Sequence, residues 1–324
     1  MKKSYRVLSA LLALLLCMAL VLTGCGAKDG SEGLSDNIKV GTLIGPTGMG
    51  LIDLMDNESV DVELYQSPTD VTQKLLSGDL DVACVPSNLG AVLYAKSKGN
   101  IQILTTVVNG VLYIVENGDS IKSLASLKGK TIYGSGQGGT PEYALQAVLE
   151  AAGLELNEDV EVKWLEDHAA VAQMVAATPG AVGLLPEPQV SSLTAKSDSV
   201  RVALSMNKLW RDATDHALPM GILVAKKDFV ENRTEDIDKF LELVNESVEN
   251  VKGGSDEVVQ KIVDAGIVPD FDVCKAVIPN CALTCLSARD NKATLSVFYN
   301  KLYAVEKTSV GGAVPDDDIY YGAK

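Results

Sequence analysis

Residues 38–55, IKVGTLIGPTGMGLIDLM, join a run of strand character (Ile38–Leu43) to an amphipathic helical stretch through a turn at Gly45-Pro46-Thr47-Gly48. Pro46 fixes φ and Gly48 permits a positive φ, so the chain can reverse within a few residues. The helix that follows starts with unpaired backbone N–H groups and the positive end of its dipole. Such a start lies just past the carboxyl end of a strand, where open α/β sheets bind ligands. One unit of this kind is as readily an ordinary βα turn as a binding turn. What constrains the fold is its return from residue 130 onward, in a second half of similar element order and spacing.

In the first half VDVELYQS reads as a strand, and Ser67-Pro68-Thr69-Asp70 opens the helix VTQKLLSG with Thr69 or Asp70 at its cap. The strand DVACVP runs through Pro86-Ser87-Asn88 into the helix LGAVLYAKSKG, and the strands IQILTTVV and GVLYIVENG follow. Alternation with short links predicts a largely parallel sheet with helices on its faces. The second half repeats it: KTIYGS, a glycine-rich turn at 136–141, the helix EYALQAVLEAAGL, the strand VEVKWL, the turn Glu166-Asp167-His168 and the helix AAVAQMVAA. AVGLLP then leads through Pro186-Glu187-Pro188 to the helix QVSSLTAKS and the strand VRVALSM. PMGILVAKK is apolar enough to be a central strand returning to the first half, and the rest is mostly helical. A chain of 324 residues suits two such lobes, with 37–116 and 219–324 forming the first and 117–218 the second.

The formal charge is −15, and Lys2, Lys3 and Arg6 are the only charges before Cys25, so the remainder carries −18. That surface argues against nucleic acid and against an electrostatic grip on anionic lipid. The three basic residues precede an apolar run at 7–22, too short for a comfortable membrane span, which ends in Leu22-Thr23-Gly24-Cys25. This resembles a bacterial lipobox, which implies a signal peptide over 1–24 and acylation of Cys25. Residues 25–36, rich in Gly, Ser and acids, then read as a flexible tether. Cys84 lies in an apolar strand and reads as a core residue; Cys274, Cys281 and Cys285 match no zinc spacing, leaving buried thiols or one disulfide.

Gly134-Ser135-Gly136-Gln137-Gly138-Gly139 fits G-x-G-x-x-G between a strand and a helix. The next acid pair, Glu166-Asp167, comes about 27 residues after the last glycine, where about 20 is expected for a dinucleotide site. The motif is read instead as a turn that brings backbone close to a smaller ligand. With two histidines, His168 and His216, and no G-x-S-x-G elbow, nucleophilic catalysis finds little support. No catalytic residue, metal or cofactor is expected.

The lipobox, the tether, the two βα halves with a crossover and return, and the helical end together resemble type II periplasmic-binding-protein-fold receptors of ABC importers. Within these the chain is similar to the nitrate/sulfonate/taurine and thiamine-precursor (NMT1/THI5-like) group. The motifs that carry the resemblance are GPTGMGL, LLSGDLDVACVP, LKGKTI with GGTP, GLLPEP and the closing DDDIYY. It implies an α/β, two-lobe fold with a ligand cleft between the lobes. It also implies a monomeric solute-binding lipoprotein on the outer face of the bacterial cytoplasmic membrane, which passes a small-molecule ligand to the permease transmembrane subunits. By that match Thr47, Gly48, Thr69, Ser87, Asn88 and Thr140 sit at cleft-facing turns, and Glu187 lines or flanks the cleft. Met49 beside them, Gln137 and Gly139 of the glycine-rich turn and His168 of its own turn are further candidates. If both lobes hold one molecule, Thr47 and Thr140 face each other. No arginine after Cys25 (Arg201, Arg211, Arg233, Arg289) falls in a candidate turn, which favours a neutral or amine-bearing ligand over an anion, with small acids on helix N-termini as the alternative. The rival readings are a surface enzyme of the same fold, related to thiamine-pyrimidine synthesis, and a sensory or adhesive lipoprotein without a transporter.

Overall fold

Strand β1 (Ile38–Leu43) pairs in parallel with β2 (Val60–Tyr65) on one side and β3 (Val82–Pro86) on the other. This computed structural model describes residues 34–323; the 1–24 leader, Cys25 and most of the 25–36 tether lie outside them. The body is pinned at its start by Arg233, whose guanidinium donates to the carbonyls of Asp36 and Asn37. No helix among the described residues is long and apolar enough to cross a membrane.

Two sheets form. The first runs β11 (Leu283–Ser287), β4 (Gln102–Asn109), β10 (Pro219–Ala225), β3, β1, β2. The second runs β7 (Glu161–Trp164), β6 (Thr131–Gly134), β8 (Val182–Pro186), β5 (Leu112–Asn117), β9 (Val200–Ser205). With β11 set aside the orders match position for position: β2, β1, β3, β10, β4 against β7, β6, β8, β5, β9. In each, the fourth strand is antiparallel to both neighbours and comes from the opposite half of the chain. The sheets are therefore mixed rather than largely parallel.

This exchange moves one element. GVLYIVENG, read with the first lobe up to residue 116, pairs as β5 in the second sheet, so the chain changes sheets between Asn109 and Leu112 and returns between Ser205 and Pro219. An apolar run suits the middle of either sheet, and its composition does not say which. β3 and β8, the strands beside the exchanged ones, are buried along VACV and VGLL, as strands covered on both faces must be. Helices Thr140–Ala151, Met206–Thr214 and Lys292–Val305 pack together, joining the two halves on one side. Trp210 and Phe298 meet there with ring centroids 5.7 Å apart, and Phe298 meets Tyr299 edge-on at 5.4 Å.

Candidate functional site

β1, β3 and β4 all point the same way, because β10 is antiparallel to both β3 and β4. Their carboxyl ends are where the polar candidates gather. β3 ends at Pro86 and gives way at once to the helix Ser87–Lys96, which no side chain caps. Ser87 and Asn88 are both buried, and Ser87 Oγ has no hydrogen-bond partner. The Asn88 amide donates from Nδ2 to the Ser309 carbonyl at 3.4 Å and accepts at Oδ1 from Thr140 Oγ1 at 3.1 Å. Thr140 is the first residue of the helix Thr140–Ala151, which follows Gly139 and likewise has no side-chain cap. Two uncapped helix starts, one from each sheet, thus meet through one buried hydrogen bond.

Neighbouring helix starts are satisfied locally. Ser67, rather than Thr69 or Asp70, caps the helix Pro68–Ser77, and its Oγ accepts the N–H of an exposed Thr69. Asp167 caps the helix His168–Ala177 by accepting the Ala170 N–H at 2.8 Å. The glycine-rich turn closes on itself, with the Gly138 N–H donating to the Glu142 carboxylate at 2.6 Å and Gln137 exposed to solvent.

Gly48 and Met49 are buried in the packing of this turn. Thr47 is half-buried, and its Oγ1 donates back to the Leu43 carbonyl at 3.0 Å. Pro46–Gly50 is helical, and the residue with positive φ is Gly45 at 125°, not Gly48. A Cβ at Gly48 would come within 2.9 Å of the Leu43 carbonyl and 3.0 Å of Leu64, so close approach is what requires glycine there. Met49 is fully buried, with its sulfur 3.6 Å from Cys281 Sγ. The cysteines in the described residues are free thiols; burial pushes Cys84 up to about 12 and Cys274 up to about 11, which leaves them unreactive.

His168 and Glu187 each have a serine partner that the sequence did not mark. Ser135, buried at the end of β6, shares a short hydrogen bond with His168 Nδ1. Burial lowers the His168 pKa despite the nearby Asp167 carboxylate, so the imidazole is neutral at pH 7. The Glu187 carboxylate accepts from the Ser191 N–H and Oγ, both at 2.9 Å. Burial raises its pKa, and the two Ser191 bonds offset that only in part. Asn280 Nδ2 donates to Ser191 Oγ at 3.3 Å, a second contact between parts attached to different sheets.

Of the expected residues, then, the structure brings together Ser87, Asn88 and Thr140, beside Gly139. It leaves Thr69 and Gln137 in solvent and Met49 in the core. Ser135 lies within the glycine motif and was open to discovery there; Ser309 carries no local signal at all. A hollow of about 400 Å³ lies elsewhere, lined by Thr105, Leu241, Glu242, Cys285 and others, and holds none of the candidates. Among the described residues no group of His, Cys, Asp and Glu is arranged to hold a metal ion.

Two α/β sheets that exchange a strand, with polar groups from both meeting at their helix starts, define a bilobal binding-protein fold. The chain belongs to the family of periplasmic substrate-binding proteins of phosphonate ABC transporters, whose model matches residues 55–268. It is accordingly a substrate-binding protein of an ABC import system, of an extracytoplasmic family. No curated protein sequence matches it. Among solved structures it resembles an ABC transporter protein from Parabacteroides distasonis, with 22% identity over 89% of this chain and 99% of that one and a TM-score of 0.75. It also resembles the alkanesulfonate-binding protein SsuA from Xanthomonas axonopodis pv. citri bound to MOPS (15% identity, 90% and 98% covered, TM-score 0.65). The aliphatic sulphonate binding protein SsuA from Escherichia coli is similar at 15% identity, 88% and 90% covered, and a TM-score of 0.69.

Proposed function

We propose that this protein captures a small organic anion with a phosphonate or sulfonate head and delivers it to permease subunits, catalysing no reaction. In this reading the two sheets with their helices are the lobes, with β5 in the second. The observation that carries it is the meeting of the helix starts at Ser87 and Thr140, each without a side-chain cap. Two helix N-termini converge N–H groups and positive dipole ends on one place, which suits an anion in a site that has no arginine. The family's description and the sulfonate-binding neighbours support the same class.

The preference for a neutral ligand drawn from the missing arginine therefore gives way at the head group. Glu187 is the candidate partner for an amine at the organic end. Contacts from both lobes favour the closed state when ligand is bound, which is the signal to the permease. Acylated Cys25 would tether the monomer to the outer face of the cytoplasmic membrane.

Calorimetry with methylphosphonate, 2-aminoethylphosphonate, methanesulfonate and taurine, beside native mass spectrometry of the purified protein, tests the class. At least one of the four is expected to bind with micromolar or tighter affinity. No binding by any of them, with a neutral molecule carried through purification, would overturn it.

A further inference from the structure

Five buried side-chain polar atoms among the described residues have no hydrogen-bond partner: Thr42 Oγ1, Ser87 Oγ, Asn109 Oδ1, Trp210 Nε1 and Ser309 Oγ. Buried polar groups are nearly always paired, so each such atom calls for a reason. Two of the five, Ser87 and Ser309, lie next to Asn88, one in the chain and one through a hydrogen bond. Ser87 precedes Asn88 in the chain, and the Ser309 carbonyl accepts from Asn88 Nδ2 at 3.4 Å. The Ser87 carbonyl is occupied by the Tyr299 hydroxyl at 3.0 Å, so its own hydroxyl alone is left over.

Ser309 reaches this place by design of its turn. The short 3₁₀ segment Lys307–Val310 is capped by Glu306, whose carboxylate accepts the Thr308 N–H at 2.9 Å and the Thr308 hydroxyl at 2.8 Å. Gly311 follows with φ of 80°, and a Cβ there would fall 2.7 Å from Ala95 Cβ and 3.2 Å from Val92 Cα. The turn is therefore packed closely against the helix Ser87–Lys96. Its serine is 1% exposed beside the uncapped start of that ten-residue helix.

We propose that Ser309 is a ligand-binding residue, which with Ser87 donates a hydroxyl hydrogen bond to the oxyanion head of the ligand. This rests on the anion reading above and deepens it. The residue lies beyond the 55–268 segment that matches the family, so the family match does not assign it. A head group with three oxygens can occupy both hydroxyls and the helix N–H groups together. A planar carboxylate has one oxygen fewer, so Ser309 selects tetrahedral heads over carboxylates.

The test is Ser309→Ala, with Ser87→Ala alongside, measured by calorimetry against methylphosphonate, methanesulfonate and acetate, and by the melting temperature without ligand. Ser309→Ala is expected to weaken the phosphonate or sulfonate that wild type binds about tenfold, or about 1.4 kcal/mol. Binding of acetate, weak in wild type, should not change further. The ligand-free melting temperature should hold or rise, because the alanine removes a buried hydroxyl that had no partner. Unchanged affinity in Ser309→Ala, when wild type binds, overturns the role of Ser309 and leaves the proposed function standing. A ligand-free melting temperature lowered by more than about 2 °C overturns it too, since the hydroxyl must then be bonded within the fold, as through a buried water. Wild type that binds none of the anions brings down the function and this inference together.

Discussion

Thr140 Oγ1 donates to Asn88 Oδ1 at 3.1 Å, and both side chains are at most 1% exposed. The two residues stand at the starts of helices that follow strands of different sheets, so this bond is a direct polar link between the halves of the molecule. Threonine at 140 is therefore a buried, bonded residue. Thr140→Val keeps the shape and removes the donor, leaving Asn88 Oδ1 buried without a partner at a cost of about 1–3 kcal/mol. The melting temperature should fall by roughly 2–10 °C, and ligand affinity should fall with it. A variant that melts and binds like wild type would show that the link is dispensable.

Glu187 supplies a pH test. Burial raises its pKa above the usual value of 4.5, so the folded state holds its proton more tightly than the unfolded chain does. The associated stability is present in full below that usual value and is lost as pH rises through the raised one. Glu187→Gln should flatten the decline in melting temperature over this window and be at least as stable as wild type at pH 7. In calorimetry it should weaken 2-aminoethylphosphonate more than methylphosphonate. Equal effects on the two ligands would remove Glu187 from amine recognition.

Arg201 and Glu116 lie at the opposite end of the second sheet. Leu112 pairs with Pro186 near the site, whereas Glu116 pairs with Val182 at the far end of the same strands. Glu116 is 1% exposed and binds Arg201 Nη2 at 2.7 Å, the Ser120 N–H at 2.7 Å and the Ile121 N–H at 3.0 Å. Burial by itself would raise its pKa, but the Ser120 and Ile121 donors and the guanidinium together bring it below the ordinary carboxylate value. Its stabilisation is thus present above the unfolded pKa and lost as pH falls through the folded one. Arg201→Ala should cost about 3 kcal/mol, or roughly 6–12 °C in melting temperature, and leave ligand affinity within about twofold. Lost affinity at full occupancy of the folded state would contradict the separation of this cluster from the site.

Cys25, outside the described residues, is tested in cells. Cys25→Ser should abolish metabolic fatty-acid labelling and leave the protein unprocessed or shed. Label retained in the variant would defeat the lipid anchor.

Gly48→Ala separates packing from binding at the first turn. The added methyl meets the Leu43 carbonyl and Leu64, so the melting temperature should fall while the affinity of the folded protein stays the same. Lower affinity with an unchanged melting temperature would return Gly48 to the site.

The sequence by itself determined the alternation of strands and helices, the repeat of that unit, and the position of each βα turn. These depend on interactions within a few residues: apolar periodicity, a proline at 46 or 68, a glycine at 78 or 266. Only the tertiary structure decided which sheet receives GVLYIVENG, because an equally apolar strand, PMGILVAKK, makes the reciprocal crossing and either run could fill either centre. It likewise decided that Thr140 meets Asn88, and that Ser309 stands beside Asn88 from 221 residues away. Hydrogen-bond partners at such separations are selected by how the helices pack against their sheets. A local pattern can place a hydroxyl on a turn, but the burial that leaves it with one partner, or with none, comes from the rest of the chain closing around it.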